Sequence, residues 1–325
     1  MRPITLRVCR DTDPGTLCAM TAESTALRFY DVTSADGTVL RGWTNDAEGP
    51  PVLLCNGLGT NPYAWPALLR ADCGVRVISW NHRGVGGSAR PRDPDRVGID
   101  AFVEDAVAVM DDAGLARAVV AGWSVGVNTA FELATRHPER VAGLFALAGV
   151  PGATFASMLG PLRVPRRLRA PLTVTASRVV REIGHLLSPV TQALPMGRIS
   201  ATLLRHSGLM FPAADAEVVR CAVREFLTSD VDWYFHLAVA AARHERVPLR
   251  GIGVPTAFVA GRYDVLTDNA DIRSAAERIP EATCSVVVGS HFLQMEHPDL
   301  VHDELMALVE RASNVDASPG RPEVS

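Results

Sequence analysis

The chain has 325 residues, 47% of them hydrophobic, and a formal net charge of −4. That length accommodates one large domain with an insertion or two ordinary domains, and the acidic balance argues against a nucleic-acid-binding protein. No stretch reaches the roughly 18 uncharged apolar residues that span a bilayer, and the first twenty carry Arg2, Arg7, Arg10, Asp11 and Asp13 with no apolar core, so a cytoplasmic location is the expectation.

After a polar lead-in over residues 1–25, Ala26 to Asp31 and Val39 to Thr44 read as two strands joined by a turn at Ser34 to Gly37. Pro51 to Cys55 and Val75 to Trp80 are short apolar runs, as expected of strands covered on both faces. Between them, Tyr63 to Leu69 predicts the first helix. Gly84-Val85-Gly86-Gly87-Ser88-Ala89 matches the letters of a dinucleotide fingerprint. That motif requires a helix to open at once, and Pro91 and Pro94 stand in the way, so a nicotinamide cofactor is not expected.

Asp100 can cap a helix running to about Ala113, with Phe102, Ala106, Val109 and Met110 on one face. Ala118 to Ala121 reads as the next strand, Val127 to Arg136 as a helix and Val141 to Leu147 as a further strand. Strands and helices alternating at this spacing imply a mostly parallel sheet with helices on both faces. The alternation stops near Gly149. From there to about Val247 the pattern is helical and broken by prolines. One amphipathic face carries Leu172, Val179, Val180, Ile183, Leu186 and Leu187; another carries Val218, Val219, Ala222, Val223 and Phe226. Strands resume at Pro255 to Ala260 and Cys284 to Val288, and Asp299 to Ala312 reads as the last helix. Residues 313–325 are expected to be a disordered tail.

The chemistry centres on Gly122-Trp123-Ser124-Val125-Gly126, a G-x-S-x-G between a strand and a helix. A serine there sits on a tight turn that leaves no room for side chains at the flanking positions, so both are glycine. The turn exposes the hydroxyl at the end of the sheet and places the Val125 N–H at a helix N-terminus, where it can stabilise an oxyanion. A serine hydroxyl needs a base within hydrogen-bond reach, and the base needs an orienting acid. Parallel strands bring their C-terminal ends to one edge, which selects Asp264, just after Pro255 to Ala260, and His291, just after Cys284 to Val288. Asp268 and Asp271 are weaker rivals for the acid. His297 and His302 read as surface residues, and Trp123 either packs on the sheet or lines the pocket.

The order Ser124, Asp264, His291, with Gly261-Arg262-Tyr263-Asp264 around the acid and Gly289-Ser290-His291 followed by Glu296 and Pro298 around the base, resembles the α/β-hydrolase fold family, especially its capped esterase-like members. The resemblance covers about Ala26 to Arg311 apart from the cap. It implies a core over residues 26–149 and 248–312 and a helical cap over 150–247, inserted after the sixth strand. It also implies that the Leu58 N–H, in Asn56-Gly57-Leu58, joins that of Val125 in the oxyanion hole. Asparagine replaces the usual histidine of that loop, and Asn81-His82-Arg83-Gly84-Val85-Gly86-Gly87-Ser88 resembles the family's D-x-R-G-x-G-x-S loop with asparagine in place of aspartate. Arg83 reads as structural.

The activity so implied is hydrolysis of a carboxylic ester with an apolar acyl or alcohol part, by way of an acyl-enzyme. Thioesterase, C–C bond hydrolase and perhydrolase activities use the same triad, and a non-catalytic ligand-binding protein is a further alternative. Dehalogenases and epoxide hydrolases of this fold carry aspartate at the serine position, which disfavours those activities. No metal or organic cofactor is required. The six cysteines are scattered with no C-x-x-C pair and read as reduced, structural thiols.

The expected partner is a small-molecule acyl substrate; oligomeric state is not legible. Every residue of the lysine–arginine class is arginine. Between Pro161 and Arg205 there are eight arginines against one acid, Glu182, a local excess of +7. Such a run is a solvated helix face, or it attracts an anionic lipid surface or an anionic substrate. Met210, Phe211, Phe226, Trp233, Tyr234 and Phe235 either line an acyl pocket or form the cap's own core.

Overall fold

The computed structural model describes residues 27–160 and 162–317; the whole of the expected lead-in, residues 1–25, and residues 318–325 of the expected tail lie outside the described residues. β1 (Arg28–Thr33) and β2 (Val39–Thr44) form an antiparallel hairpin. Its turn is closed by the Gly37 N–H on the Ser34 carbonyl at 2.9 Å, with Gly37 at φ +82°. β3 (Pro51–Cys55) and β4 (Arg76–Trp80) follow, then α1 (Ile99–Asp112), β5 (Ala118–Trp123), α2 (Val125–Arg136) and β6 (Val141–Leu147). A helical segment comes next: α3 (Thr154–Ser157), α4 (Arg166–Ala193), α5 (Arg198–Arg205), α6 (Ala216–Phe226) and α7 (Val231–Ala241). The chain then returns to the sheet with β7 (Thr256–Gly261), α8 (Asn269–Ala276), β8 (Thr283–Val287), α9 (Leu293–Glu296) and α10 (Pro298–Ala317).

The eight strands form one sheet in the order β1-β2-β4-β3-β5-β6-β7-β8, parallel from β4 through β8. β5 lies in the middle and is buried along its whole length, because both of its faces are covered. Ala118 and Val120 face a core built with Phe102, Met110 and Phe131 of α1 and α2. Val119, Ala121 and Trp123 face the opposite core with Leu305 and Leu308 of α10. This is the α/β-hydrolase architecture, with the helical segment inserted after the sixth strand.

Four local expectations are corrected. Tyr63 to Leu69 is not an α-helix but two 3₁₀ turns, Pro62–Ala64 and Pro66–Leu69: Pro66 has no N–H to give the Pro62 carbonyl in an α-helical turn, and the Trp65 N–H takes that carbonyl instead at 3.0 Å. Gly98, at φ +97°, caps α1, and Asp100 lies in its first turn. The last helix runs on to Ala317, so residues 313–317 of the expected disordered tail are helical. Cys55, Cys73 and Cys284 are free thiols as expected, but Cys221 is disulfide-bonded.

Candidate active site

Ser124 is the hinge between β5 and α2. Its backbone takes φ 55° and ψ −121°, a conformation that a side chain adopts only when the surroundings impose it. The imposing contacts are visible at the flanking glycines. A Cβ on Gly126 would stand 1.9 Å from the Cys55 carbonyl oxygen, and one on Gly122 would meet the Gly126 carbonyl oxygen at 2.7 Å. Neither site admits a side chain, so the strand end, the loop after β3 and the first turn of α2 close in on one another around the serine.

His291 follows β8 and Asp264 follows β7. Both are buried, and the Nδ1 of His291 lies 2.8 Å from Oδ2 of Asp264. The other carboxylate oxygen accepts the Leu266 and Thr267 N–H groups at 2.8 and 2.9 Å, which fixes the carboxylate plane. Ser124 and His291 line one cavity; no hydrogen bond joins their side chains. The rival carboxylates are used elsewhere. Asp268 caps α8 through the Ala270 N–H and pairs with Arg169 at 3.0 Å, while Asp271 pairs with Arg166. His297 bonds the Val288 carbonyl and His302 the Cys73 carbonyl.

Leu58 and Val125 line the same cavity, and neither backbone N–H has an acceptor among the described residues. The β3 loop is held by Asn56, which is buried; its Oδ1 accepts the Trp65 indole N–H at 2.7 Å and its amide donates to Ser79 Oγ at 3.3 Å. The next loop carries no dinucleotide helix: α1 begins only at Ile99. Instead, Asn81 donates to the Gly86 carbonyl at 2.6 Å and Ser88 to the Asn81 carbonyl at 2.7 Å. Arg83 is wholly buried, forked onto Asp105 at 2.7 and 2.9 Å and paired with Asp36. Its partners hold that carboxylate of Asp36 at a pKa of about 2: burial raises it, but the Thr38 and Arg83 hydrogen bonds outweigh that effect.

The contacts of two further side chains were not readable in the sequence. Trp123, expected either to pack on the sheet or to line the pocket, lines the cavity and also donates its indole N–H to the His291 carbonyl at 3.0 Å. Glu296 is buried beneath the histidine loop. It accepts the Ser290 N–H at 2.8 Å, the Ser290 hydroxyl, and the Phe211 N–H at 2.8 Å, so it ties that loop to the helical segment. The signal for Glu296 was its place five residues after His291 in the quoted motif; its contacts were not readable there.

The cavity has a volume of about 380 Å³ and is almost wholly apolar. Met210, Phe226 and Tyr234 of the expected pocket candidates line it, together with Leu204 and Leu209. Phe211, Trp233 and Phe235 do not. Trp233 instead donates to the Arg83 carbonyl at 2.7 Å, bracing the helical segment against the loop after β4. Among the described residues no arginine lines the cavity. Burial pushes the pKa of Tyr234 to about 12, so it stays neutral.

Comparison with known proteins follows this geometry. Residues 50–298 match the family described as alpha/beta hydrolase fold. The chain is 26% identical over 286 residues to 3-oxoadipate enol-lactonase 2 of Acinetobacter baylyi, covering 87% of this chain and 97% of that one. It is 28% identical over 289 residues to epoxide hydrolase A of Mycobacterium tuberculosis, covering 79% and 89%. Among solved structures, the enol-lactonase from Burkholderia xenovorans LB400 superposes with a TM-score of 0.66 at 23% identity, over 86% of this chain and all of that one; at that identity the likeness is one of fold.

Proposed function

The chain belongs to the alpha/beta hydrolase fold family, and from that membership we propose a serine hydrolase that cleaves a carboxylic ester with an apolar acyl or alcohol part. The observation that carries this reading is the strained Ser124 opening into one cavity with His291, whose imidazole is bonded to the buried Asp264.

In this reading Ser124 Oγ attacks the ester carbonyl while His291 Nε2 takes its proton. Asp264, on Nδ1, fixes the tautomer that leaves Nε2 free to accept and then stabilises the imidazolium. The carbonyl oxygen, now an oxyanion, receives the Leu58 and Val125 N–H groups; such a donor is worth about 3–4 kcal/mol in the transition state. His291 returns the proton to the departing alcohol. Water, deprotonated by the same imidazole, then releases the acid and restores the serine.

The apolar lining of the cavity supports an apolar acyl or alcohol group. A lactone is an internal ester, so the relative named an enol-lactonase fits the same bond class. The relative named an epoxide hydrolase gives less support, because Ser124 stands where the resemblance implies aspartate in that activity. C–C bond cleavage with arginines gripping a carboxylate finds no support in a cavity that no arginine of the described residues lines.

A fluorophosphonate probe should label the native protein and not Ser124→Ala. An unlabelled native protein, or equal labelling of the variant, contradicts the reading. Turnover of short acyl nitrophenyl esters that is lost in His291→Ala would dispose of a purely ligand-binding role.

A further inference from the structure

α4 is folded with its small side chains inward and its large ones outward. Its buried residues are Ser177, Gly184 and Ser188, which let the α7 backbone approach closely. A Cβ on Gly184 would stand 2.4 Å from the Asp232 nitrogen, and Ser188 Oγ accepts the Val231 N–H at 2.9 Å. The large apolar side chains Leu168, Leu172, Val179, Ile183, Leu186 and Val190 face solvent, each 44–64% exposed. At 100° per residue their spacing confines them to a strip roughly 60° wide and about 33 Å long. Beyond the helix, Leu194, Ile199 and Leu203 are exposed as well, Ile199 at 79%. An apolar strip of this extent marks an interaction site.

Charge selects the partner. Arg167 and Arg178 lie three turns apart on one flank of the strip, with His185 two turns further on, and all three are exposed. Arg167 and Arg178 have no carboxylate partner among the described residues, and the single acid of the helix, Glu182, is neutralised by Arg181 at 2.6 Å. We propose that α4 and α5 form a docking surface for an anionic lipid bilayer, with the strip among the acyl chains and the flanking guanidinium groups at the headgroup phosphates. A second copy of the chain fits less well, because antiparallel strip-to-strip pairing brings these arginines against their like. α5 links the surface to the cavity: Leu204 lines the cavity while Leu203 beside it is exposed, so one helix is both a wall of the cavity and part of the docking face. Docking does not depend on the reaction proposed above.

The test is flotation of the full chain with phosphatidylcholine vesicles, with and without phosphatidylglycerol. Binding is expected to the anionic vesicles, at least about tenfold weaker to phosphatidylcholine alone, and weakened by high salt, which shortens the Debye length. Arg167→Glu with Arg178→Glu should lower binding by about 25-fold or more, at roughly fivefold per arginine. Leu172→Ser with Leu186→Ser should abolish it, while Val315→Ser, an equally exposed valine on α10, and Ser124→Ala should bind as the native chain does. These are surface substitutions, and unchanged melting temperatures verify the fold. Absence of native binding overturns the proposal, as does equal binding by the α4 variants. Sedimentation velocity supplies the remaining arm: a lipid-indifferent dimer that Leu172→Ser with Leu186→Ser converts to monomer would assign the strip to self-association and overturn the lipid reading.

Discussion

The Trp123 indole N–H donates to the His291 main-chain carbonyl at 3.0 Å, so the residue preceding Ser124 holds the loop that presents the imidazole. The two rings also lie 5.6 Å apart, centroid to centroid. Trp123→Phe keeps an aromatic ring and deletes the donor. The expected result is a loss of about 1 kcal/mol of stability and a fall in kcat of roughly ten- to a hundredfold, with KM changing much less. Steady-state kinetics on a nitrophenyl ester, together with a urea titration, checks both.

Asp264→Asn should leave the fold intact, since an amide oxygen can still accept the Leu266 and Thr267 N–H groups. Its NH2 then faces His291 Nδ1 and drives the imidazole into the wrong tautomer. Activity should fall about 10⁴-fold, as expected when a triad carboxylate becomes an amide. A loss below about tenfold would remove Asp264 from the assigned role.

Glu296→Gln is expected to damage the site through the loop it holds. An amide cannot accept at both ends, so one of the Ser290 and Phe211 N–H groups is left facing a donor. The cost should be about 2–3 kcal/mol, read from the urea midpoint, with a lower kcat. Glu296→Asp, which retains both acceptor oxygens on a shorter stem, should recover part of each.

His82 gives the stability a defined pH dependence. It is buried against Phe102, ring centroids 4.6 Å apart, and desolvation lowers its pKa to about 4. The unfolded chain takes up this proton near pH 6.5 and the folded chain does not, so stability falls as the pH drops from about 6.5 to about 4. The total is about 3 kcal/mol. Urea titrations at pH about 7.5 and about 4.5 should show a smaller acid-side loss in His82→Phe than in the native chain, by about that amount.

The sheet was legible because its strands are physically simple. Pro51–Cys55 and Val141–Leu147 are unbroken apolar runs whose ends coincide with β3 and β6, since a strand covered on both faces has no polar position to blur it. The glycines around Ser124 and the strand-end positions of Asp264 and His291 pointed to one edge of the sheet, where the structure gathers them. Long-range contacts were not legible. Nothing local tells that Glu296 reaches Phe211. The helical segment was the least legible. The apolar face of Leu172, Val179, Ile183 and Leu186 had the periodicity of a core-facing stripe, yet it points outward, because small residues on the opposite side pack more closely against α7. Two of the eight arginines there, Arg166 and Arg169, are spent on Asp271 and Asp268.

The central claim is a covalent acyl-enzyme on Ser124. Intact-mass measurement after treatment with a slowly deacylating aryl carbamate, followed by peptide mapping, tests it most directly. One equivalent of adduct on the peptide carrying Ser124, absent from Ser124→Ala and strongly slowed in His291→Ala, is the predicted result. Full hydrolytic turnover by Ser124→Ala, or an adduct on a residue outside the cavity, would contradict it.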